Sequence, residues 1–280
     1  MSRTSTTISG ESSIIILFLI FKYFLFSHVE KVQSISHDYL RDQSEILPKM
    51  RSVLIDWLIG VHLQFHLLQE TLYTTVAIID RFLQVEIRNG SISRAKLQLV
   101  GVPAMLVAAK YEEIYAPEVK DFVYITDRAY TEREILKMEI SILRVLKFDL
   151  GRPLPLHFLR RASKAGSVES VTHTLAKYIM ELSLGSYNMV SVSPSMLASA
   201  ALALSLKLLD TGSSFAEVWT ETLEHYTRYS VDQLMSTIKK LAVLLHNAPI
   251  NKLATVYQKY SNKKFLKIAR FVLDTKRSLF

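Results

Sequence analysis

Met50-Arg51-Ser52-Val53-Leu54-Ile55-Asp56-Trp57-Leu58 opens a stretch with apolar residues at 50, 53, 54, 57, 58, 61, 65 and 68. That is the three-four spacing of one helix face. Outward from it the helical pattern continues at nearly every turn. Residues 70–85 follow after almost no loop. Residues 93–113 run through Leu99-Val100-Gly101-Val102-Pro103-Ala104-Met105-Leu106-Val107-Ala108-Ala109, which reads as a helix buried all round. Pro103 should kink that helix or mark its start. Pro117 is expected to open a short helix to about Ile125, and Thr131 with Glu134 makes a capping box for a helix to about Lys147.

Gly151-Arg152-Pro153-Leu154-Pro155 is a natural boundary, and beyond it the series repeats. Leu106-Val107-Ala108-Ala109-Lys110-Tyr111-Glu112-Glu113 matches Ala203-Leu204-Ser205-Leu206-Lys207-Leu208-Leu209-Asp210 at an offset of 97 residues. Tyr130-Thr131-Glu132-Arg133-Glu134-Ile135 matches Tyr229-Ser230-Val231-Asp232-Gln233-Leu234 at an offset of 99. That period is far too long for a solenoid. It implies two related all-helical domains in tandem.

Composition narrows the function. With 49% apolar and 21% charged residues, the 280-residue chain can build a sizeable core, which excludes wholesale disorder. No Cys is present, so disulfides, thiolate zinc sites and a cysteine nucleophile are out. The eight glycines stand where no GxGxxG, phosphate loop or GxSxG elbow can form. His62 and His66 have zinc-compatible helical spacing, but there is no HExxH glutamate and no third ligand in view, so surface or half-buried histidines are expected. No metal, cofactor or catalytic residue is expected. The net charge of +8 is concentrated at one end: residues 251–280 carry +7 and residues 1–250 only +1. The expectation is a solvated basic tail, and the small charge on the rest argues against a nucleic-acid surface.

The most apolar run is Ile14-Ile15-Ile16-Leu17-Phe18-Leu19-Ile20-Phe21-Lys22-Tyr23-Phe24-Leu25-Phe26. As a helix it would rise about 20 Å, short of the roughly 30 Å of hydrocarbon a span must cross. It also contains Lys22, and Phe26-Ser27-His28-Val29 is a poor signal-peptide cleavage site. A buried segment is expected, with a membrane anchor or signal as the alternative.

Ordered motifs then point to a family. Met50–Leu58 resembles the MRAILVDWL signature that opens the cyclin box. Leu68-Gln69-Glu70-Thr71-Leu72-Tyr73, Asp80-Arg81-Phe82-Leu83, Lys96-Leu97-Gln98-Leu99-Val100-Gly101 and Ala109-Lys110-Tyr111-Glu112-Glu113 follow in cyclin order. Phe122-Val123-Tyr124-Ile125-Thr126-Asp127 and Lys137-Met138-Glu139 continue it, and the run from Gly151 to Lys164 resembles the B-type, mitotic members. The likeness covers residues 30–270. It implies an all-α protein of two tandem five-helix cyclin-box folds with flanking terminal helices. The expected division is an apolar segment 1–36, a kinase-binding box 37–151, a second cyclin fold 152–270 and a basic tail 271–280.

The resemblance also implies a role. The chain would be a regulatory subunit, without an active site of its own, that activates a mitotic cyclin-dependent serine/threonine kinase as a heterodimer in the cytoplasm and nucleus. Lys110 and Glu139 match the pair that hydrogen-bonds the kinase at the start of its mobile αC helix, and Leu143, Phe148 and Leu150 match positions packing on that helix. Such a face would select the αC-in arrangement. In the second repeat Ile238 stands where Glu139 is expected, so Lys207, the counterpart of Lys110, lacks the matching carboxylate. Arg51 and Asp80 match a buried structural pair. Met50, Val53, Leu54, Trp57 and Gln98 match the patch that docks Arg-x-Leu motifs of substrates and inhibitors. Gly60 stands where some members carry an acid for the arginine, so weaker or altered docking is expected. Arg160, His173 and Lys177 match a phosphate pocket of mitotic members.

Two departures stand out. No Arg-x-x-Leu destruction motif followed by asparagine lies before residue 50, and residues 86–93 are about four longer than usual. Two other uses remain: a transcription-factor-IIB-like DNA or polymerase binder, and a membrane-tethered variant.

Overall fold

Side chains at the N-termini set the start of several helices in this chain. The computed structural model describes residues 24–35, 38–41, 45–87, 92–210 and 212–270. Residues 24–32 are helical (α1). The first repeat holds α2 (Pro48–Gln64), α3 (Gln69–Glu86), α4 (Leu97–Glu112), α5 (Val119–Ile125) and α6 (Glu132–Val145). Pro48 opens α2 where a missing N–H costs nothing. Thr131 and Glu134 close a reciprocal capping box on α6, as the sequence predicted. α5 starts two residues after Pro117, because Glu118 and Asp121 supply the cap instead.

The second repeat holds α7 (Pro155–Ala165), α8 (Ser170–Leu184), α9 (Pro194–Leu209), the single turn α10 (Phe215–Val218), α11 (Glu221–Thr227) and α12 (Val231–Asn247). No strand occurs among the described residues. α4 and α9 are the two central helices, displaced from each other by 97 residues at both ends. α4 packs on α2, α3, α5 and α6, while α9 packs on α7, α8, α10 and α12. Both are buried on nearly every side, which is why neither shows an amphipathic stripe. Pro103 lies inside α4 rather than at its start, and is itself buried. Gly101 faces α2 there: a Cβ would stand 2.8 Å from Leu54 Cδ1, so a larger residue would push the Leu54 side chain aside.

The repeats are joined at several points. Arg51 Nη1 donates to the Leu184 carbonyl at 2.9 Å, and Ser52 Oγ to that of Gly185 at 2.7 Å. α1 reaches across as well: buried Glu30 accepts from Ser195 N and Oγ at 3.1 and 2.7 Å, and Phe26 packs on His157 and Phe158. Of the apolar run, only residues 24–26 are described; Phe24 and Leu25 are exposed and Phe26 is half-buried. Residues 14–23, 88–91 of the longer connection, and 271–280 lie outside the described residues. No helix among the described residues is long and apolar enough to cross a membrane.

The expectation of a solvated basic tail fails at Lys259, while Lys252, Lys263, Lys264, Lys267 and Arg270 are exposed. α13 (Thr255–Tyr260) docks on α2 and α8, with Val256, Lys259 and Tyr260 buried. Lys259 is not a surface charge, because Glu181 waits for it inside. The expectation of two surface or half-buried histidines holds for exposed His66 and fails for His62. α2 ends at Gln64, His66 turns into the left-handed region at φ 54°, and His62 is 4% exposed. No group of three potential metal ligands occurs among the described residues.

Candidate functional site

On α6, Ile135, Glu139 and Ile142 share the stripe that faces the core. An acid at such a position needs a donor. Lys110, in the last turn of α4, supplies it: Nζ donates to Glu139 Oε1 at 2.6 Å. The carboxylate side chain is 10% exposed and the lysine 48%. The ammonium is therefore half-exposed while the carboxylate is buried. It reaches in from solvent because α4 leaves the core just there.

An apolar surface surrounds this pair. Leu136 and Ile140 flank Glu139 on the exposed side of α6, and Tyr111, Ile114 and Tyr115 continue past the end of α4. Ile114 and Tyr115 are at least 90% exposed, a large apolar display between α4 and α5. A hollow lined by Leu106, Pro117, Val119 and Glu132 adjoins Lys110.

The chain after α6 extends the same face. Lys147 and Phe148 adopt left-handed φ of 52° and 59°, a conformation costing about 1 kcal/mol or more per non-glycine residue. The Phe148 amide then donates to the Leu143 carbonyl at 2.9 Å, closing the helix C-terminus. Arg81 Nη1 and Gln33 Nε2 hold Asp149 at 2.7 and 2.8 Å. The result is an outward Phe148, with Leu143 and Leu150 half-buried. Of the five residues singled out for this surface, Lys110 meets Glu139 directly and Phe148 is tied to Leu143 through the backbone.

The second set does not stay together. Val53 is exposed, while Met50, Trp57 and Gln98 are half-buried; Gln98 accepts from Tyr130 OH at 3.4 Å. Leu54 is core, 6% exposed, pressed on Gly101. It leaves the patch because its helical phase points at α4. Asp56, the acid closest in sequence, accepts from Thr255 N and Oγ1 at 3.1 and 2.8 Å, and Gly60 offers no side chain.

Arg51 and Asp80 form a buried bidentate pair at 2.6 and 2.7 Å, completed by Tyr39 OH at 2.8 Å. Burial alone would depress the Arg51 guanidinium, but Asp80 outweighs it and holds its pKa above the ordinary value. In the second repeat Ile238 is buried, and Lys207 sits near Asp210 and Glu217, which its charge helps keep ionised.

Arg160, His173 and Lys177 gather where α7 meets α8. His173 Nδ1 is hydrogen-bonded to Ser163 Oγ at 2.8 Å. Burial, then the charges of Lys177 and Arg160, lower the His173 pKa. Burial chiefly lowers that of Lys177, which makes no hydrogen bond or ion pair among the described residues. Arg160 Nη2 is paired with Glu70 Oε1 of α3. Sequence reading missed Glu70.

It also missed the polar knot between the repeats. Glu181, fully buried on α8, accepts from Lys259 at 2.6 Å, Tyr260 OH at 3.0 Å and Gln69 Nε2 at 2.8 Å. The signal was present: an acid within Tyr178-Ile179-Met180-Glu181-Leu182 occupies a core position and demands a buried cation.

Family comparison fits this geometry. The model described as "Cyclin, N-terminal domain" matches residues 20–151, and "Cyclin, C-terminal domain" matches residues 153–274. The chain belongs to the cyclin family. Within that family it is similar to proteins described as G2/mitotic-specific cyclin-B. The identity is 59% over 236 residues to the one from Spisula solidissima, covering 84% of this chain and 53% of that one. It is 54% over 247 residues to the one from Patella vulgata, covering 88% and 58%. This cyclin thus spans a little over half the length of these curated relatives. The cyclin fold recurs in the X-ray structure of a viral cyclin from herpesvirus saimiri, at TM-score 0.64 and 20% identity over 77% of this chain and 90% of that one. It is also found in the CAK complex of Chaetomium thermophilum bound to ATP-gamma-S, at TM-score 0.54 and 18% identity over 91% and 81%.

Proposed function

We propose that this cyclin is the regulatory subunit of a mitotic cyclin-dependent serine/threonine kinase and supplies no catalytic group of its own. The observation that carries the reading is the Lys110–Glu139 pair set in an exposed apolar surface. A charge pair ringed by solvent-facing Tyr, Ile and Phe is the anatomy of an interface core with polar anchors. The names of the B-type relatives, G2/mitotic-specific cyclin-B, support the mitotic part of this reading. The mechanism is conformational. A rigid helical face that binds only the active position of the kinase αC helix shifts the kinase towards it. Lys110 and Glu139 would satisfy backbone groups at the start of that helix, and Leu143, Phe148 and Leu150 would pack beside them.

Two accessory sites belong to the same reading. Met50, Val53, Trp57 and Gln98 form a small docking patch for the leucine of Arg-x-Leu segments. Its arginine subsite is weak, since Thr255 occupies Asp56 and residue 60 is glycine. Arg160, His173 and Lys177 form a pocket for a phosphorylated partner. Its support is the half-buried Lys177 ammonium without a partner among the described residues.

The test mixes purified protein with a monomeric cyclin-dependent kinase and follows phosphorylation of a Ser-Pro peptide. Strong activation, lost in the Lys110→Ala/Glu139→Ala variant, is expected. A folded wild type that neither binds nor activates such kinases overturns the proposal.

A further inference from the structure

Two cationic side chains, Arg160 and Lys177, converge with the His173 ring at the junction of α7 and α8, and the carboxylates that could neutralise them are few. Glu181, one turn beyond Lys177, is consumed by Lys259, Tyr260 and Gln69. Its charge still reaches Lys177, but its oxygens are spoken for. That leaves Glu70, in the first turn of α3, where the helix N-terminus favours a negative charge. Glu70 pairs with Arg160 across the boundary between the repeats. Burial works against its charged form, yet the Arg160 hydrogen bond and the charges of Arg160 and Lys177 prevail, and its pKa lies below the ordinary value.

We infer that Glu70 is a displaceable internal counter-ion of the Arg160–His173–Lys177 pocket, an intramolecular competitor that an incoming phosphate group must push aside. This rests on the reading of those three residues as a phosphate pocket, and it adds how that pocket is regulated. Glu70 holds one guanidinium nitrogen of a half-exposed arginine, while its own side chain is 21% exposed, so it can swing out to water at modest cost. The remaining groups stay in place without it. Ser163 fixes the His173 ring through Nδ1, which leaves Nε2 to meet a ligand, and Lys177 already lacks a partner among the described residues.

A monoanionic carboxylate from a partner would merely replace one carboxylate on Arg160 by another. A phosphoserine or phosphothreonine brings nearly two charges and three acceptor oxygens, enough to engage Arg160, Lys177 and His173 together. Glu70 therefore sets a threshold. The pocket stays satisfied against acidic segments and opens for a phosphorylated one.

The experiment measures binding of a labelled phosphoserine peptide to the full chain by fluorescence anisotropy. The unphosphorylated peptide and inorganic phosphate serve as competitors, and wild type is compared with Glu70→Gln, Glu70→Asp and Arg160→Ala. Glu70→Gln should tighten the phosphopeptide about tenfold, as expected for losing one charge-assisted competitor. Glu70→Asp, one methylene short of Arg160, should tighten it in part, and Arg160→Ala should abolish binding. Unchanged or weaker binding by both Glu70 variants, with wild-type binding intact, overturns the competitor role while the pocket stands. Absence of binding in wild type and Glu70→Gln alike overturns the pocket itself. Competition by inorganic phosphate as strong as by the phosphopeptide would show that free phosphate is the ligand.

Discussion

Lys259 and Glu181 meet at 2.6 Å in a site closed to water, with 4% and 0% of their side chains exposed. The lysine comes from the last α-helix of the described chain and the glutamate from the middle of the second repeat, while Gln69 of the first repeat donates to the same carboxylate. One buried charge thus fastens three segments. Removing the cation strands the anion. Lys259→Ala should lower unfolding free energy by about 3–5 kcal/mol. Lys252→Ala, at an exposed position, should shift it by less than about 0.5 kcal/mol. Urea denaturation followed by circular dichroism decides. Equal effects would mean that Lys259 is solvated in solution.

The Arg51–Asp80 pair follows the same logic. Asp80→Ala leaves a buried guanidinium and an orphaned Tyr39 hydroxyl, and should cost several kcal/mol. Lys120→Ala breaks an ion pair whose members are 66% and 69% exposed, and should leave the midpoint nearly unmoved.

His62 predicts a pH dependence. Burial, reinforced by the charges of Lys259 and Lys264, pushes its pKa down to about 3. An unfolded histidine titrates near 6.5. Between those values the unfolded chain holds the extra proton, so stability falls as pH drops from about 6.5, by at most about 1.4 kcal/mol per pH unit from this site. Above that range the site contributes no slope. Denaturation midpoints between pH 5 and 7.5 should therefore steepen with acid, and His62→Gln should flatten that slope. An identical slope in the variant would show that His62 is accessible to protons in the native state.

Phe148 separates stability from function. It is 69% exposed, so Phe148→Ala should spare the fold, whereas Lys110→Ala leaves the buried Glu139 carboxylate without its donor and should cost about 1–3 kcal/mol. Both variants should nevertheless weaken kinase binding, by about tenfold or more for an anchor at the centre of an interface. Isothermal titration beside a melting curve reads both. A large loss of stability with unchanged kinase affinity would place these residues in the fold rather than on the interface.

The helical framework was legible because its determinants are local. The three-four spacing from Met50, the Thr131–Glu134 capping box and the 97-residue offset between the central helices are all properties of neighbouring residues. Lys110 and Glu139 were legible through resemblance, and periodicity adds that Glu139 shares the buried stripe of Ile135 and Ile142. Leu54 was misassigned to a surface because spacing gives a helix face but not what covers it. Only the close approach of α4 at Gly101 puts it inside.

By itself, then, the sequence determined which segments are helices, where they begin, and that they form two related sets. The tertiary structure decided which charges are buried and with whom. Asp56 meets Thr255 across 199 residues, Glu181 meets Lys259 across 78 and Arg160 meets Glu70 across 90. The physical reason is range. Caps and helical periodicity act within a turn or two of the chain, whereas a buried ion pair exists only once docking has removed water from both partners.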